Sequence, residues 1–166
     1  MRVLVSGVAG DIGFGVARIL KEWGIFNGIF GIDITDDHPA SLIINNFSLA
    51  PSADNKSYIN FLKHFLKKNK IDLFIPTSEA EIFTISKNIE IINKLTNVLI
   101  NDKFLVDICL DKYETLKFLS SCGLDVPKYG LVGVDLPADY PVVVKPRRGQ
   151  GSKGIRKIKS KSLLKK

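Results

Sequence analysis

Cysteine, histidine and tryptophan are scarce in this chain of 166 residues, and each shortage closes off a class of function. Cys109 and Cys122 are the only cysteines, too few for a disulfide framework, so the sequence predicts two reduced thiols in a core. His38 lies in an Asp-rich loop and His64 on a Lys-rich helix face. Neither has partners at ligand spacing, which argues against a metal site. No apolar run approaches the roughly 18 residues that a membrane helix needs. The opening MRVLVSGVAG also lacks the apolar core of a signal peptide. The expectation is a soluble cytoplasmic protein with no membrane partner.

Acidic residues are missing altogether after Asp139. Residues 141–166 hold ten Lys/Arg and no Asp/Glu, which leaves 14 basic against 17 acidic residues in positions 1–140. The net charge of +7 therefore belongs to one loop and the tail beyond it. It does not describe a basic face spread over the fold, and nucleic acid is disfavoured as a partner. With 45% hydrophobic residues, the chain can bury one sizeable core and part of a second.

What is present alternates between strand-like and helix-like segments. Residues 2–6 form a β-branched run that enters glycines, a first buried strand. Residues 12–23 have helical character, closed by Gly24. Residues 29–34 read as a second strand, and residues 42–49 stay ambiguous, with a short strand among their readings. From Tyr58 the apolar set Tyr58, Ile59, Leu62, Phe65 and Leu66 follows a helical face. Residues 71–75 read as a strand stopped by Pro76. The series Ile82, Ile85, Ile89, Ile92 and Leu95 predicts one amphipathic helix, and residues 97–100 a further strand. Such alternation predicts a parallel, right-handed, Rossmann-like α/β sheet for about the first hundred residues. The boundary falls near residues 101–104, giving domains 1–102 and 103–166. In the second, Asp111 and Glu114 make a capping box for a helix that runs to Gly123, with Pro127 beyond it.

Two glycine loops compete for attention. Gly7, Gly10 and Gly13 are spaced G-x-x-G-x-x-G between strand one and helix one, and Asp33 ends strand two. This is where a dinucleotide would place its pyrophosphate on a helix N-terminus and its ribose on an acid. The other reading is a tight turn that needs glycine for close helix–sheet packing; both stay open. Tyr113 and Lys117 form Y-x-x-x-K on one helix face, which resembles the short-chain dehydrogenases. That resemblance implies an NAD(P)-binding oxidoreductase, but no serine lies between Ser86 and Ser120 to complete the catalytic group. It also leaves the second loop unexplained.

That second loop, PVVVKPRRGQGSKGI at residues 141–155, joins three valines that suit a buried strand to glycines and basic side chains. Glycine lets backbone N–H groups approach an anion closely, and the basic side chains supply countercharge. Only eleven residues follow Ile155, so the loop is either a tail or the start of something missing.

Taken in order, Asp111-Lys112-Tyr113, then Gly123-Leu124-Asp125-Val126-Pro127, then Pro141 to Pro146 with its glycine loop resemble the ATP-grasp family. The similarity is greatest to the group around the large subunit of carbamoyl phosphate synthase. The resemblance implies a Rossmann-like pre-ATP-grasp domain followed by the opening of an α+β ATP-grasp lobe. It implies ATP as cofactor, with Mg only in a complete enzyme, and activation of a small-molecule carboxylate through an acyl-phosphate. Lys145 matches the strand lysine at the nucleotide phosphates, and Lys112 the basic residue opening the preceding helix. Gly149, Gln150, Gly151 and Ser152 match the loop that closes over the β- and γ-phosphates. Arg147 is assigned to a phosphate or acyl-phosphate, while Arg148, Lys153 and Arg156 read as a solvated basic loop. Asp11, Ser78 and Glu79, at strand C-terminal ends, are assigned to the acceptor substrate, and Glu79 reads equally as an N-terminal residue of its helix, favoured by the dipole. The family's acidic metal ligands lie beyond the glycine loop, where this chain has no acid. The expectation is thus a truncated or split ATP-grasp ligase, inactive alone and completed by a complementary chain. A non-enzymatic alternative is a Rossmann-like interaction module whose basic tail docks an acidic partner or nucleic acid.

Overall fold

A computed structural model describes residues 1–135, 137–149 and 151–164. The chain divides into two units, Met1–Lys103 and a second that begins at Phe104. In the first, β1 (Arg2–Ser6), α1 (Asp11–Trp23), β2 (Gly28–Asp33), β3 (Asn46–Leu49), α2 (Tyr58–Asn69), β4 (Leu73–Ile75), α3 (Glu79–Ser86), α4 (Ile89–Ile92) and β5 (Asn97–Val98) follow one another. The strands form one parallel sheet in the order β3-β2-β1-β4-β5, with β1 at its centre and Val5 opposite Gly31 and Ile75.

Both faces of β1 are buried, which is why its sequence is a continuous apolar run. Val3 and Val5 pack with Ala17 and Leu20 of α1, and with Ala40 and Ile44. Leu4 points to the other face, into a cluster with Tyr58, Leu62 and Leu66 of α2, Phe74 of β4, Ile85 and Ile92. The sequence order reverses on either side of β1, so its C-terminal end and that of β4 form the switch point where open α/β sheets bind ligands.

Three segments depart from the periodicity. Residues 42–49 split into a 3-10 turn (Pro39–Leu42) and the strand β3. The isoleucine series spans two helices, because side chains compete with the backbone between them. Ser86 Oγ donates to Phe83 O at 2.8 Å and Asn88 Nδ2 donates to Thr84 O at 2.9 Å, which closes α3 before α4 starts. The strand expected from residue 71 begins at Leu73, since the Ile71 N–H goes back to Leu66 O, with Lys70 in the left-handed region at φ 49°.

The second unit holds α5 (Lys103–Cys109), α6 (Lys112–Ser121), β6 (Val142–Val144), β7 (Arg156–Ile158) and α7 (Lys161–Leu164). Helix α6 ends in a Schellman motif. Gly123, at φ 76°, donates its N–H to Ser120 O, and Leu124 donates to Leu119 O. A cis peptide bond joins Tyr140 to Pro141 ahead of β6. Strands β6 and β7 pair antiparallel, Val142 opposite Ile158 and Val144 opposite Arg156, with the glycine loop between them. Two sequence expectations are corrected here. The three valines do not form a buried strand: two strands alone cannot cover both faces, and Val143 is 63% exposed. Cys109 and Cys122 are not core thiols, since both are exposed near helix C-termini.

Candidate functional site

The second glycine loop is held by the first turn of α6. Asp111 is the helix N-cap, its Oδ1 accepting from the N–H groups of Tyr113 (3.1 Å) and Glu114 (3.4 Å). The same carboxylate takes a two-pronged grip from Arg147, with Nε 3.0 Å from Oδ1 and Nη2 2.8 Å from Oδ2. Arg147 Nη2 also reaches Glu114 Oε1 at 3.3 Å, and its guanidinium lies 5.3 Å from the centre of the Tyr113 ring. A planar guanidinium matches a carboxylate in this way, and the pair is worth more than a single-point contact. The reciprocal half of the expected capping box is absent, because the Glu114 side chain goes to Arg147 and the Asp111 N–H to Ile108 O.

Burial alone would raise the Asp111 pKa. Hydrogen bonds from Arg147 and from the Glu114 and Tyr113 amides outweigh it, and hold the carboxyl below its ordinary value. Arg147 is correspondingly raised, first by its hydrogen bond to Asp111.

Lys112 joins helix to loop twice. Its N–H donates to Arg147 O at 2.9 Å and its Nζ to Gly149 O at 2.7 Å. Lys145 follows directly on β6 and is exposed. Beyond it Gly149 (φ 128°), Gly151 (φ 67°), Ser152 (φ 57°) and Gly154 (φ 74°) occupy positive-φ conformations. At Gly154 a Cβ would lie 2.9 Å from Pro146 Cγ, so the neck of the loop closes only around glycine. The loop assignment of Gln150 lies outside the described residues.

The first glycine loop, in the other unit, is built for packing. Gly7 is left-handed at φ 67°, and a Cβ on Gly13 would stand 2.1 Å from Gly7 O and 2.9 Å from Thr77 Oγ1. Asp33, considered for a ribose, turns back onto the chain. Its Oδ2 accepts from Ala9 N at 2.8 Å and its Oδ1 from Ile34 N at 2.7 Å. For the dehydrogenase-like pair, Tyr113 packs edge-on to Tyr129 at 5.5 Å and Lys117 lies 3.8 Å from Glu114.

At the switch point, Asp11 and Glu79 are exposed in the first turns of α1 and α3. Ser78 instead caps α3 and donates its hydroxyl to Glu81 Oε2 at 2.7 Å. Glu81, which sequence reasoning missed, is buried and also accepts from Ser6 Oγ (2.8 Å) and Tyr58 OH (2.7 Å). Burial first, then the Glu81 charge and hydrogen bond, push the Tyr58 phenol well above its ordinary pKa. The signal for Glu81 was the S-x-x-E spacing from Ser78, a capping-box pattern.

Among the described residues no three His, Cys, Asp or Glu side chains group to hold a metal. Asp111 and Glu114 are engaged by Arg147. They do not fit a magnesium site. No helix among the described residues is long and apolar enough to cross a membrane.

Residues 109–165 match the ATP-grasp domain family. The chain is similar in fold to the biotin carboxylase domain of Hydrogenobacter thermophilus 2-oxoglutarate carboxylase, solved with MgADP, ADP and bicarbonate. The TM-score is 0.68 at 18% identity over 98% of this chain and 38% of that one. The biotin carboxylase domain of a thermophilic 2-oxoglutarate carboxylase bound to ADP without magnesium gives 0.55 at 20% identity, with the same coverage. Glycinamide-RNase-transformylase T from Mycobacterium tuberculosis gives 0.53 at 16% identity, over 75% of this chain and 35% of that one. Curated proteins gave no match. The chain spans less than half the length of these solved chains. The α/β sheet and the hairpin that follows it thus share a fold with part of a biotin carboxylase domain, and residues 109–165 are similar to an ATP-grasp domain.

Proposed function

We propose that this chain is the N-terminal part of an ATP-grasp ligase related to the large subunit of carbamoyl phosphate synthase. In this reading residues 1–102 are the pre-ATP-grasp domain and residues 103–166 open the nucleotide-binding lobe. The observation that carries it is the bond from Lys112 Nζ to Gly149 O, which brings the helix lysine onto the glycine loop that Lys145 enters from β6.

Lys112 and Lys145 neutralise the nucleotide phosphates, and the Gly149–Gly154 loop supplies backbone N–H groups around them. The reaction is transfer of a phosphoryl group to a small carboxylate, whose acyl-phosphate an amine or other nucleophile then attacks. A neighbour of the same fold, solved with MgADP and bicarbonate, supports a nucleotide and a small carboxylate as ligands. Asp11 and Glu79 face the acceptor, and Ser78, whose hydroxyl is held by Glu81, caps the helix that carries Glu79. Residues 141–166 hold no acidic residue, so the carboxylates for magnesium are supplied from outside this segment. The protein works in the cytoplasm.

The test is calorimetric titration with MgATP. Binding by the wild type, weakened about tenfold or more by Lys145→Ala, supports the reading, tenfold being about 1.4 kcal/mol. Unchanged affinity in Lys145→Ala removes that residue from the site, and binding of NAD(P)H in place of MgATP sinks the reading.

A further inference from the structure

The Arg147 guanidinium is surrounded in a way that a phosphate contact does not require. Two of its nitrogens are spent on Asp111, one of these also on Glu114, and the Tyr113 ring lies beside it. Its Nε and Nη2 are directed at the two carboxylates, which a phosphate would have to displace. Asp111 is itself fixed, buried and hydrogen-bonded to two amides of the α6 first turn. Between them stands Lys112, with its N–H on Arg147 O and its Nζ on Gly149 O. An ammonium has three donors, of which Gly149 takes one.

We propose that Asp111 and Arg147 are a positioning pair, which fastens the root of the glycine loop to α6 and so aims Lys112 and Lys145 at phosphates that Arg147 itself does not touch. The phosphate part rests on the nucleotide-binding reading above; the fastening does not. Arg148 joins the same carboxylate as a longer ion pair, its Nε 3.8 Å from Asp111 Oδ2.

A double-mutant cycle in MgATP affinity tests this. Asp111→Asn keeps a good N-cap residue while removing the charge, and Arg147→Met keeps the bulk. Each single variant should weaken MgATP about tenfold, and the double variant no further, because both remove one interaction. Adenosine affinity should not change, as it would in a variant that has simply unfolded. Arg147→Lys should not rescue, since an ammonium cannot make the two-pronged grip but would still serve a phosphate. Rescue by lysine, or additive losses near a hundredfold, would overturn the proposal.

A second measurement needs no nucleotide. Amide exchange at Lys112, whose N–H is held by Arg147 O, should speed up in both single variants. Unchanged exchange overturns the fastening, and faster exchange with unaltered MgATP affinity overturns the positioning role. If the wild type binds no nucleotide, the nucleotide reading falls with the phosphate part of the proposal. Faster exchange would then still establish the fastening.

Discussion

Two alanine substitutions two residues apart in α1 should move stability in opposite directions. At Gly15 an added Cβ meets nothing within 4 Å. Gly15→Ala should therefore keep the full helix-propensity gain, about 1 kcal/mol. At Gly13 the same methyl group would lie 2.1 Å from Gly7 O and 2.6 Å from Gly7 C. Non-bonded heavy atoms settle at about 3.5 Å, so relief requires a shift of more than about 1 Å in either the helix or the loop. Neither backbone segment can yield alone. Gly7 is tied to Ile32 O and Thr77 Oγ1 to Ser6 O, which carries the strain into β1, β2 and the turn after β4. Overpacking of this kind costs about 3 kcal/mol, the upper end of its usual range. Offset by the propensity gain of about 1 kcal/mol, Gly13→Ala should lose about 2 kcal/mol. Trp23, the sole tryptophan, sits in the last turn of α1 and reports its unfolding by fluorescence in urea. With an m-value of about 2 kcal/mol/M, the midpoint should fall by about 1 M for Gly13→Ala and rise by about 0.5 M for Gly15→Ala. Equal shifts, or a Gly13→Ala protein as stable as the wild type, would refute a packing role for this loop.

Other expectations follow the same logic. Tyr58→Phe strips one donor from the buried Glu81 carboxylate and should cost about 1–3 kcal/mol, read as a lower thermal midpoint. The raised phenol pKa stabilises the fold below the ordinary tyrosine value of about 10, and that contribution is lost as pH climbs through the raised value. Tyr58→Phe should therefore flatten the alkaline limb of the stability profile. For Asp111 the sign is reversed. Its lowered pKa contributes stability above the ordinary carboxyl value of about 3.9, lost as pH falls through the lowered one. Exchange protection at Lys112 should accordingly hold from neutral pH past the ordinary carboxyl value and fail only as pH falls through the lowered one. Lys70→Gly should stabilise by about 1 kcal/mol, because Lys70 occupies the left-handed position that Gly24 and Gly123 fill elsewhere. A lower urea midpoint in that variant would count against it.

Much of the architecture was readable because it rests on local chemistry. The alternation of Val3 and Val5 with Leu4, the glycine after α1 and the Asp111 cap each follow from spacing that one segment carries by itself. What failed depended on neighbours. The isoleucine period ran unbroken from Ile82 to Leu95, yet Ser86 and Asn88 bond back to earlier carbonyls and split the helix. Valine-rich residues 142–144 promised burial, but burial needs a covering layer and β6 has one strand partner. In the site, glycine spacing could not say whether Asp33 meets a ligand or the backbone, because that turns on a 2.8 Å bond to Ala9 from 24 residues away. Arg147 was equally opaque. Its charge suggested an anion, and only the fold shows two carboxylates already facing it.

The two cap motifs of the chain show how one residue decides such an outcome. Ser78 and Asp111 each stand three residues before a glutamate, Glu81 and Glu114. A serine cap has a proton to give, so Ser78 accepts from the Glu81 amide and donates to the Glu81 carboxylate, drawing that side chain inward to Ser6 and Tyr58. An aspartate cap has only acceptors and carries the same charge as the glutamate. Glu114 therefore turns outward, and cations must offset both acids: Arg147 reaches the two of them from the glycine loop, with Arg148 beside Asp111 and Lys117 beside Glu114. It follows that the loop is anchored to α6 by the choice of aspartate over serine at position 111. Asp111→Ser should preserve the cap, since serine serves as well there, yet release Arg147. That variant separates helix capping from loop anchoring: helix content should stay unchanged while protection of the Lys112 amide is lost. Protection retained in Asp111→Ser would mean that Glu114 alone suffices to hold the loop.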